Sequence, residues 1–354
     1  MRIHLISGGC GFVGRNMAKN LLKTTQDQVL VVDDLSVGIS PGQWIGMGSS
    51  GEFLAPKRTI GQLSFWGSDE RFLFWKGDFR EFLRELRMNP HWLQETYGIA
   101  VEKFTNVYHF AAIVGGRAKI DGDPMMVALD LAIDAEFFYW AVQHQPEKVL
   151  YPSSSAAYPV NLQGEGDFVA LKESDIDFGG NLGQPDMTYG WSKLTGEYLA
   201  KIAAEHYGLS VTCIRPFSGF GEDQDLSYPI PAIAARAARR EDPFEVWGTG
   251  KQGRDFVHID DCIDCMHFAM DRITDGRAIN IGSGKITNFL EIIDIFTDFA
   301  GYKPTIKQLL DKPVGVHARY ANMDYVFNEL GWKPQIPVRE GLRRVYEHAL
   351  KAYA

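Results

Sequence analysis

Ser7-Gly8-Gly9-Cys10-Gly11-Phe12-Val13-Gly14 follows a short apolar run, Ile3 to Ser7, and leads into an apolar-periodic stretch from Arg15. Glycines at 8, 11 and 14 allow a tight strand-to-helix turn and close approach of backbone to a ligand. The helix that follows offers unpaired N–H groups and a partial positive charge to a pyrophosphate. A second run ends in Val31-Val32-Asp33-Asp34, about twenty residues on, where a carboxylate can accept hydrogen bonds from the adenosine ribose of a dinucleotide. Gly8, Gly11, Phe12, Val13, Gly14 and Asp33 are therefore candidate cofactor residues. Asp33 would repel a phosphate on that ribose, which favours NAD over NADP.

On either side of this loop and beyond it, β-branched runs at Ile3–Ser7, Val29–Asp33, Phe72–Lys76, Asn106–Ala111, Lys148–Ser153 and Ser210–Arg215 alternate with amphipathic stretches. The stretches Arg15–Lys23, Pro124–His144 and Tyr189–Tyr207 are long enough for crossover helices, so the pattern reads as α/β with a doubly wound parallel sheet. After Arg215-Pro216 the rhythm changes to helices, short strands and Pro/Gly-rich turns. The expected division is a cofactor domain over 1–215, to which parts of 255–283 return, and a smaller lobe over 216–354. Val37 to Phe74 is glycine-rich yet carries Trp44, Phe53, Phe65, Trp66 and Phe72. It is too long and aromatic for a plain connection, and reads as a lid or oligomer contact, or as a solvated insertion with a satellite core.

The 354 residues are 45% hydrophobic and 23% charged with a net charge of −9, ordinary globular usage that disfavours a nucleic-acid surface. No apolar run is long enough to span a membrane, and because the N-terminal residues run straight into the first strand, no signal peptide is expected. Four cysteines, at 10, 213, 262 and 265, suit a reducing cytoplasm. With no second Cys/His cluster nearby, Cys262 and Cys265 read as two small apolar residues one helical turn apart, and no metal site is expected.

Lys76-Gly77-Asp78-Phe79 follows the third run and puts a carboxylate where an adenine amino group can be read. His109-Phe110-Ala111-Ala112 ends the fourth with small residues where the nicotinamide half should pass. Tyr189-Gly-Trp-Ser-Lys193 sets a phenol and an ammonium one helical turn apart on one face. A phenol is a poor base at neutral pH, but the ammonium and a positive nicotinamide ring both favour its anion and should lower its pKa. Upstream, Pro152-Ser153-Ser154-Ser155-Ala156-Ala157-Tyr158 presents hydroxyls at the carboxyl end of the sheet, where ligands bind in such folds. Ser154 is the chosen hydroxyl, by its spacing to Tyr158.

The glycine loop, HFAA, SSSAAY and YGWSK, in this order, resemble the extended short-chain dehydrogenase/reductase family over nearly the whole chain. Ala111-Ala112-Ile113-Val114-Gly115-Gly116, Tyr158-Pro159, Phe244-Glu245-Val246-Trp247-Gly248 and Gly315-Val316-His317-Ala318-Arg319 are most similar to its GDP-mannose 3,5-epimerase and GDP-fucose synthase subgroup. The resemblance implies a Rossmann-type sheet with a smaller α/β substrate-binding lobe, a homodimer paired through its long helices, and tightly held NAD. It also implies roles for three residues: Ser154 orients the substrate, Tyr189 is the acid/base, and Lys193 clamps the cofactor ribose. Arg254 and Arg319 match positions that grip a substrate pyrophosphate, a task that suits a guanidinium fork. Gly115, Ser218 and Trp247 complete the implied substrate set.

Two departures narrow the chemistry. The subgroup carries a proton-moving cysteine, and family dehydratases and decarboxylases an acidic residue, where this chain has Ala156. The Asn of the RxxNxYG motif is Ser218 here. What survives needs only hydride exchange and one acid/base, so the expectation is an NAD-dependent nucleotide-sugar epimerase or isomerase, on a GDP-sugar by resemblance. A net reductase or 4,6-dehydratase, a ring-changing mutase and a non-enzymatic NAD-binding regulator are the alternatives.

Overall fold

Ile3–Ser7 (β1) is buried along its whole length, which requires a strand covered on both faces, and its neighbours supply that cover. The protein is described from a computed structural model covering residues 2–45, 55–113, 117–164 and 168–353. Among these residues the main sheet has nine strands. They are β1, Gln28–Asp33 (β2), Arg58–Ile60 (β3), Leu63–Trp66 (β4), Phe72–Lys76 (β5), Asn106–His109 (β6), Lys148–Pro152 (β7), Val211–Pro216 (β8) and Asp275–Ile281 (β9). Their spatial order is β9-β8-β7-β6-β1-β2-β5-β4-β3. All pairs from β9 to β5 are parallel. The chain winds from β1 outward through β2 and β5, then returns to β6 on the other side of β1, so the topological switch point lies between β1 and β6.

The described part of the stretch 37–74 is not a solvated insertion. β4 pairs antiparallel with β5 and β3 antiparallel with β4, so it widens the main sheet. Alternation along β4 sends Phe65 and Trp66 into the apolar clusters on opposite faces of that sheet, which leaves no separate satellite core there. Phe53 lies outside the described residues.

Helix Phe12–Thr24 starts earlier than its apolar period suggests, directly at Gly11. The stretch 124–144 is two helices, Pro124–Val127 and Asp130–His144, joined by a tightened turn in which Leu131 N–H donates to Ala128 and Ala132 N–H to Leu129. Met187–Tyr207 ends at Gly208, whose φ of 66° closes the helix in the left-handed conformation. A further apolar cluster, including Phe220, Phe244, Phe296 and Leu342, lies in the C-terminal half. Short strands there include Gly253–Arg254 and Ala318–Ala321, paired parallel with Arg254 opposite Arg319. No helix among the described residues is long and apolar enough to cross a membrane.

Candidate active site

The glycine loop sits at the switch point. Gly8, at φ +63°, lies so close to the chain leaving β6 that a Cβ there would stand 2.6 Å from Ala111 N, which sets Ala111 beside the loop. Gly11 caps helix Phe12–Thr24 with backbone alone: no side chain caps that end and its first turn holds no acidic residue. Its N–H groups and partial charge are thus available to an anion. Asp33, at the end of β2, accepts hydrogen bonds from Cys10 N (2.9 Å) and Leu35 N (2.8 Å). A carboxylate has about four acceptor sites, so ribose hydroxyls can still be received there. Burial raises the Asp33 pKa, and the two backbone donors pull against it.

Asp78 caps helix Phe79–Met88 through Arg80 N and is held by the Arg80 guanidinium, at 2.6 Å from Nη2 to Oδ2; that bond lowers its pKa. Much of its acceptor capacity therefore goes to Arg80. Phe79 is buried against His109, with ring centroids 5.4 Å apart. Cys262 and Cys265 are buried free thiols on helix Ile259–Met270. Among the described residues no group of three or more His, Cys, Asp or Glu side chains is arranged to hold a metal ion.

Tyr189 and Lys193 lie near the start of Met187–Tyr207, which packs on the serine loop after β7. Gly190 makes that packing possible, because any Cβ there would collide with the Ala156 carbonyl. Lys193 is buried, with Nζ 5.9 Å from the centroid of the Tyr189 ring. Ser154 Oγ accepts from Ala156 N at 3.1 Å, so it caps the turn Ser155–Ala157 while its proton stays free to donate. Tyr189 and Ser154 are only half-buried and can reach a ligand.

Lys193 acts on the Tyr189 pKa in the expected direction, against opposing influences. Burial raises it most; Lys193 and a side-chain hydrogen bond with Ser154 lower it, and Asp130 and Asp134 oppose them. The net direction is up, because the nearby carboxylates and the apolar surroundings outweigh one ammonium. Lys193 is pushed down by burial, but Asp134, Tyr189 and Asp130 together raise it, so it is an ammonium at neutral pH.

A cavity of about 470 Å³ opens on the C-terminal side, lined by Gln163, Thr249, Gln252, Lys312 and Val314 among others. Trp247, exposed at 45%, accepts from the lining residue Gln252, Nε2 to its backbone carbonyl, at 2.8 Å. Arg254 Nη2 donates to the Val314 carbonyl at 3.3 Å. Arg319 donates to Gln163 Oε1 at 2.5 Å and to Asp186 Oδ2 at 2.8 Å. The two arginines anticipated for a pyrophosphate are thus brought together, with Asp186 already on Arg319. Ser218 lies on the strand Ser218–Phe220, its N–H bonded to Asp255 O. Gly115 lies outside the described residues. Sequence reasoning missed Lys312, a cation on this cavity whose signal was its position three residues before the Gly315-Val316 motif.

A doubly wound sheet with an uncapped glycine-loop helix on one side of its switch point and a phenol–ammonium pair on the other is the architecture of an NAD-dependent enzyme. The pattern of the NAD dependent epimerase/dehydratase family matches residues 85–282, and the chain belongs to that family. Its cofactor is NAD, which the Gly11 helix end and Asp33 fit. The chain is 28% identical over 269 residues to GDP-mannose 3,5-epimerase of Arabidopsis thaliana, covering 75% of this chain and 68% of that protein. Its fold is similar to that of UDP-glucose 4-epimerase from Thermotoga maritima, solved with UDP-glucose, at a TM-score of 0.77 and 22% identity, with 99% of this chain and 100% of the other covered. UDP-glucuronic acid 4-epimerase from Bacillus cereus, solved with UDP-glucuronic acid and NAD, gives 0.76 and 23% over the same shares.

Proposed function

We propose that the protein is a nucleotide-sugar epimerase or isomerase, acting on a GDP-sugar, that oxidises its substrate transiently and returns the hydride. The observation that carries this reading is a single acid/base, Tyr189, beside Ser154 with the inert Ala156 two residues on. Bound NAD supplies the hydride acceptor and donor. Tyr189 Oη takes the proton of the sugar hydroxyl as the carbonyl forms and gives it back on reduction. Ser154 donates to the same oxygen and orients it. The Lys193 ammonium favours the phenolate and holds the nicotinamide ribose. Arg254, Arg319 and Lys312 receive the pyrophosphate, and Trp247, Ser218 and Gly115 belong to the substrate side.

In this reading residues 1–215, with parts of 255–283, form the cofactor domain and 216–354 the substrate lobe of a cytoplasmic homodimer. Exposed Leu131, Tyr139, Trp191 and Tyr198 on the two long helices support that pairing; light scattering of Trp191→Glu should report monomers where the parent reports dimers.

The test is a panel of GDP-, UDP-, CDP- and dTDP-sugars incubated with purified protein and no added cofactor, read by mass spectrometry and proton NMR. An isomer of unchanged mass is expected. A product lighter by water makes the protein a dehydratase, steady consumption of added NADPH makes it a reductase, and inertness across the panel favours the binding-protein alternative.

A further inference from the structure

Beneath the phenol–ammonium pair lies a buried polar chain that the proposed reaction does not use. Ala111 N donates to Ser7 Oγ at 3.1 Å, and Ser7 Oγ meets His109 Nδ1 at 2.8 Å. His109 Nε2 lies 3.0 Å from Asp134 Oδ1, and Tyr151 Oη donates to Asp134 Oδ2 at 2.6 Å. Ser7, His109, Asp134 and Tyr151 are each no more than 1% exposed. One proton arrangement satisfies every partner: Ser7 receives from Ala111 and donates to Nδ1, leaving a neutral His109 with its proton on Nε2, directed at Asp134. Asp134 then has a donor on each oxygen and is ionised, yet neither donor carries a charge. A balancing cation is at hand in Lys193, whose Nζ sits 5.4 Å from the centroid of the Tyr151 ring, the ring whose hydroxyl reaches Asp134.

We propose that Asp134 is the counter-ion of Lys193, a positioning residue that holds this side chain as an ammonium under the active site, with Ser7, His109 and Tyr151 fixing its carboxylate in place. An isolated buried ammonium sheds its proton; a neutral Lys193 would neither favour the Tyr189 phenolate nor clamp a ribose through a full set of donors. The other groups facing this cluster are Asp130 on the same helix, Tyr189 beside Lys193, and Glu197 and Cys213 near Tyr151. Glu197 is already paired with Arg215 at 2.7 Å, which leaves Asp134 and Asp130 as the carboxylates that act on Lys193.

The inference rests on Tyr189 and Lys193 being the reacting pair, so its test reads Lys193 directly and needs no substrate. Protein labelled with 13C- and 15N-lysine is titrated by NMR in the NAD-bound form, with the Lys193 signal assigned by its loss in Lys193→Met. In Asp134→Asn the Lys193 midpoint should fall by about one pH unit or more, and Asp134→Glu should restore most of it. A Lys193 midpoint within about 0.3 unit of the parent in a folded Asp134→Asn protein overturns the proposal. Tyr151→Phe keeps the carboxylate charge and removes one of its two donors, so it should lower the Lys193 midpoint by less than Asp134→Asn does, and a larger fall overturns the proposal. If Asp134→Asn does not fold, the reciprocal holds the question open to refutation. The Asp134 carboxyl, followed by its 13Cγ signal, must titrate higher in Lys193→Met, and an unchanged midpoint rejects the pairing. A failure to turn over any nucleotide sugar would count against the proposed reaction and leave these midpoints standing.

Discussion

Replacing Gly14 by alanine tests whether the glycine loop is built around close backbone contacts. A Cβ at 14 would stand 2.6 Å from Gly9 Cα and 3.0 Å from Gly9 C, and would collide with the Gly8 carbonyl. Ordinary Cβ contacts begin near 3.4 Å, so the Gly8–Gly9 backbone must move by at least about 0.8 Å, the difference between 3.4 and 2.6, and by more at the Gly8 carbonyl. That backbone is pinned on its other side against Ala111 and Phe110 and by the Gly8 N–H bond to Val32 O. Forcing a methyl group into such packing costs about 1–3 kcal/mol. If the loop relaxes only when NAD is absent, that energy appears as weaker binding, roughly five- to 150-fold. Otherwise it appears in stability. A chain of this length changes its Tm by only about 2 °C per kcal/mol, so isothermal calorimetry with NAD is the sharper assay. Gly11→Ala is the matched comparison: its Cβ meets only Gly8 O at 3.2 Å, and its φ of −70° suits any residue. It should melt like the parent and lose NAD affinity only by obstructing a pyrophosphate at the helix end. Parental affinity together with a parental Tm in Gly14→Ala would show that the Gly14 contacts carry no such cost.

Tyr189→Phe should reduce turnover by about 10²–10⁴-fold with NAD still bound, because the ring and Lys193 remain; turnover retained by the variant would remove Tyr189 from the acid/base role. Asp33→Arg should shift cofactor preference toward NADP and lower stability, since Cys10 N and Leu35 N both lose their acceptor; unchanged preference in NAD and NADP titrations would sink the assignment. His4, His109 and His267 all have pKa values lowered, chiefly by burial. These neutral rings support the fold above the ordinary histidine value of about 6.5, and that support is lost as pH falls through it toward the folded values. Melting curves from pH 8 to 5.5 should show Tm declining below about 6.5, and a flat profile would contradict this account.

The parallel core was legible because its strands are buried on both faces and so appear as unbroken apolar runs, with glycine and proline marking their ends. β9 was harder to read. Asp275-Gly-Arg-Ala opens it with exposed and small residues, and only Ile279 to Ile281 carries the strand signal, so its place beside β8 emerges from pairing. The antiparallel extension β3–β4 was hidden differently. Its strands are three and four residues long, and a short aromatic run does not say which edge it will join.

At the site, motifs with fixed spacing were readable and residues joined only by folding were not. Tyr189 and Lys193 share a helix face by arithmetic, whereas Arg319 and Asp186 are 133 positions apart and no local pattern links them. Asp134 is the instructive intermediate. Positions 130, 134, 137 and 141 fall on one face of the helix Asp130–His144, and all four are buried. Two of them are aspartates in line with Phe137 and Ala141, and a carboxylate pair on an otherwise apolar face must find partners or lose its charge. That conflict between helical period and residue type was visible in the sequence. The identity of the partners was not, since His109, Tyr151 and Lys193 come from three other elements whose adjacency is set by the order of the sheet. The influences on the Tyr189 pKa divide the same way: the ammonium beside it was legible at four-residue spacing, while the buried carboxylates that oppose it lie on a different helix.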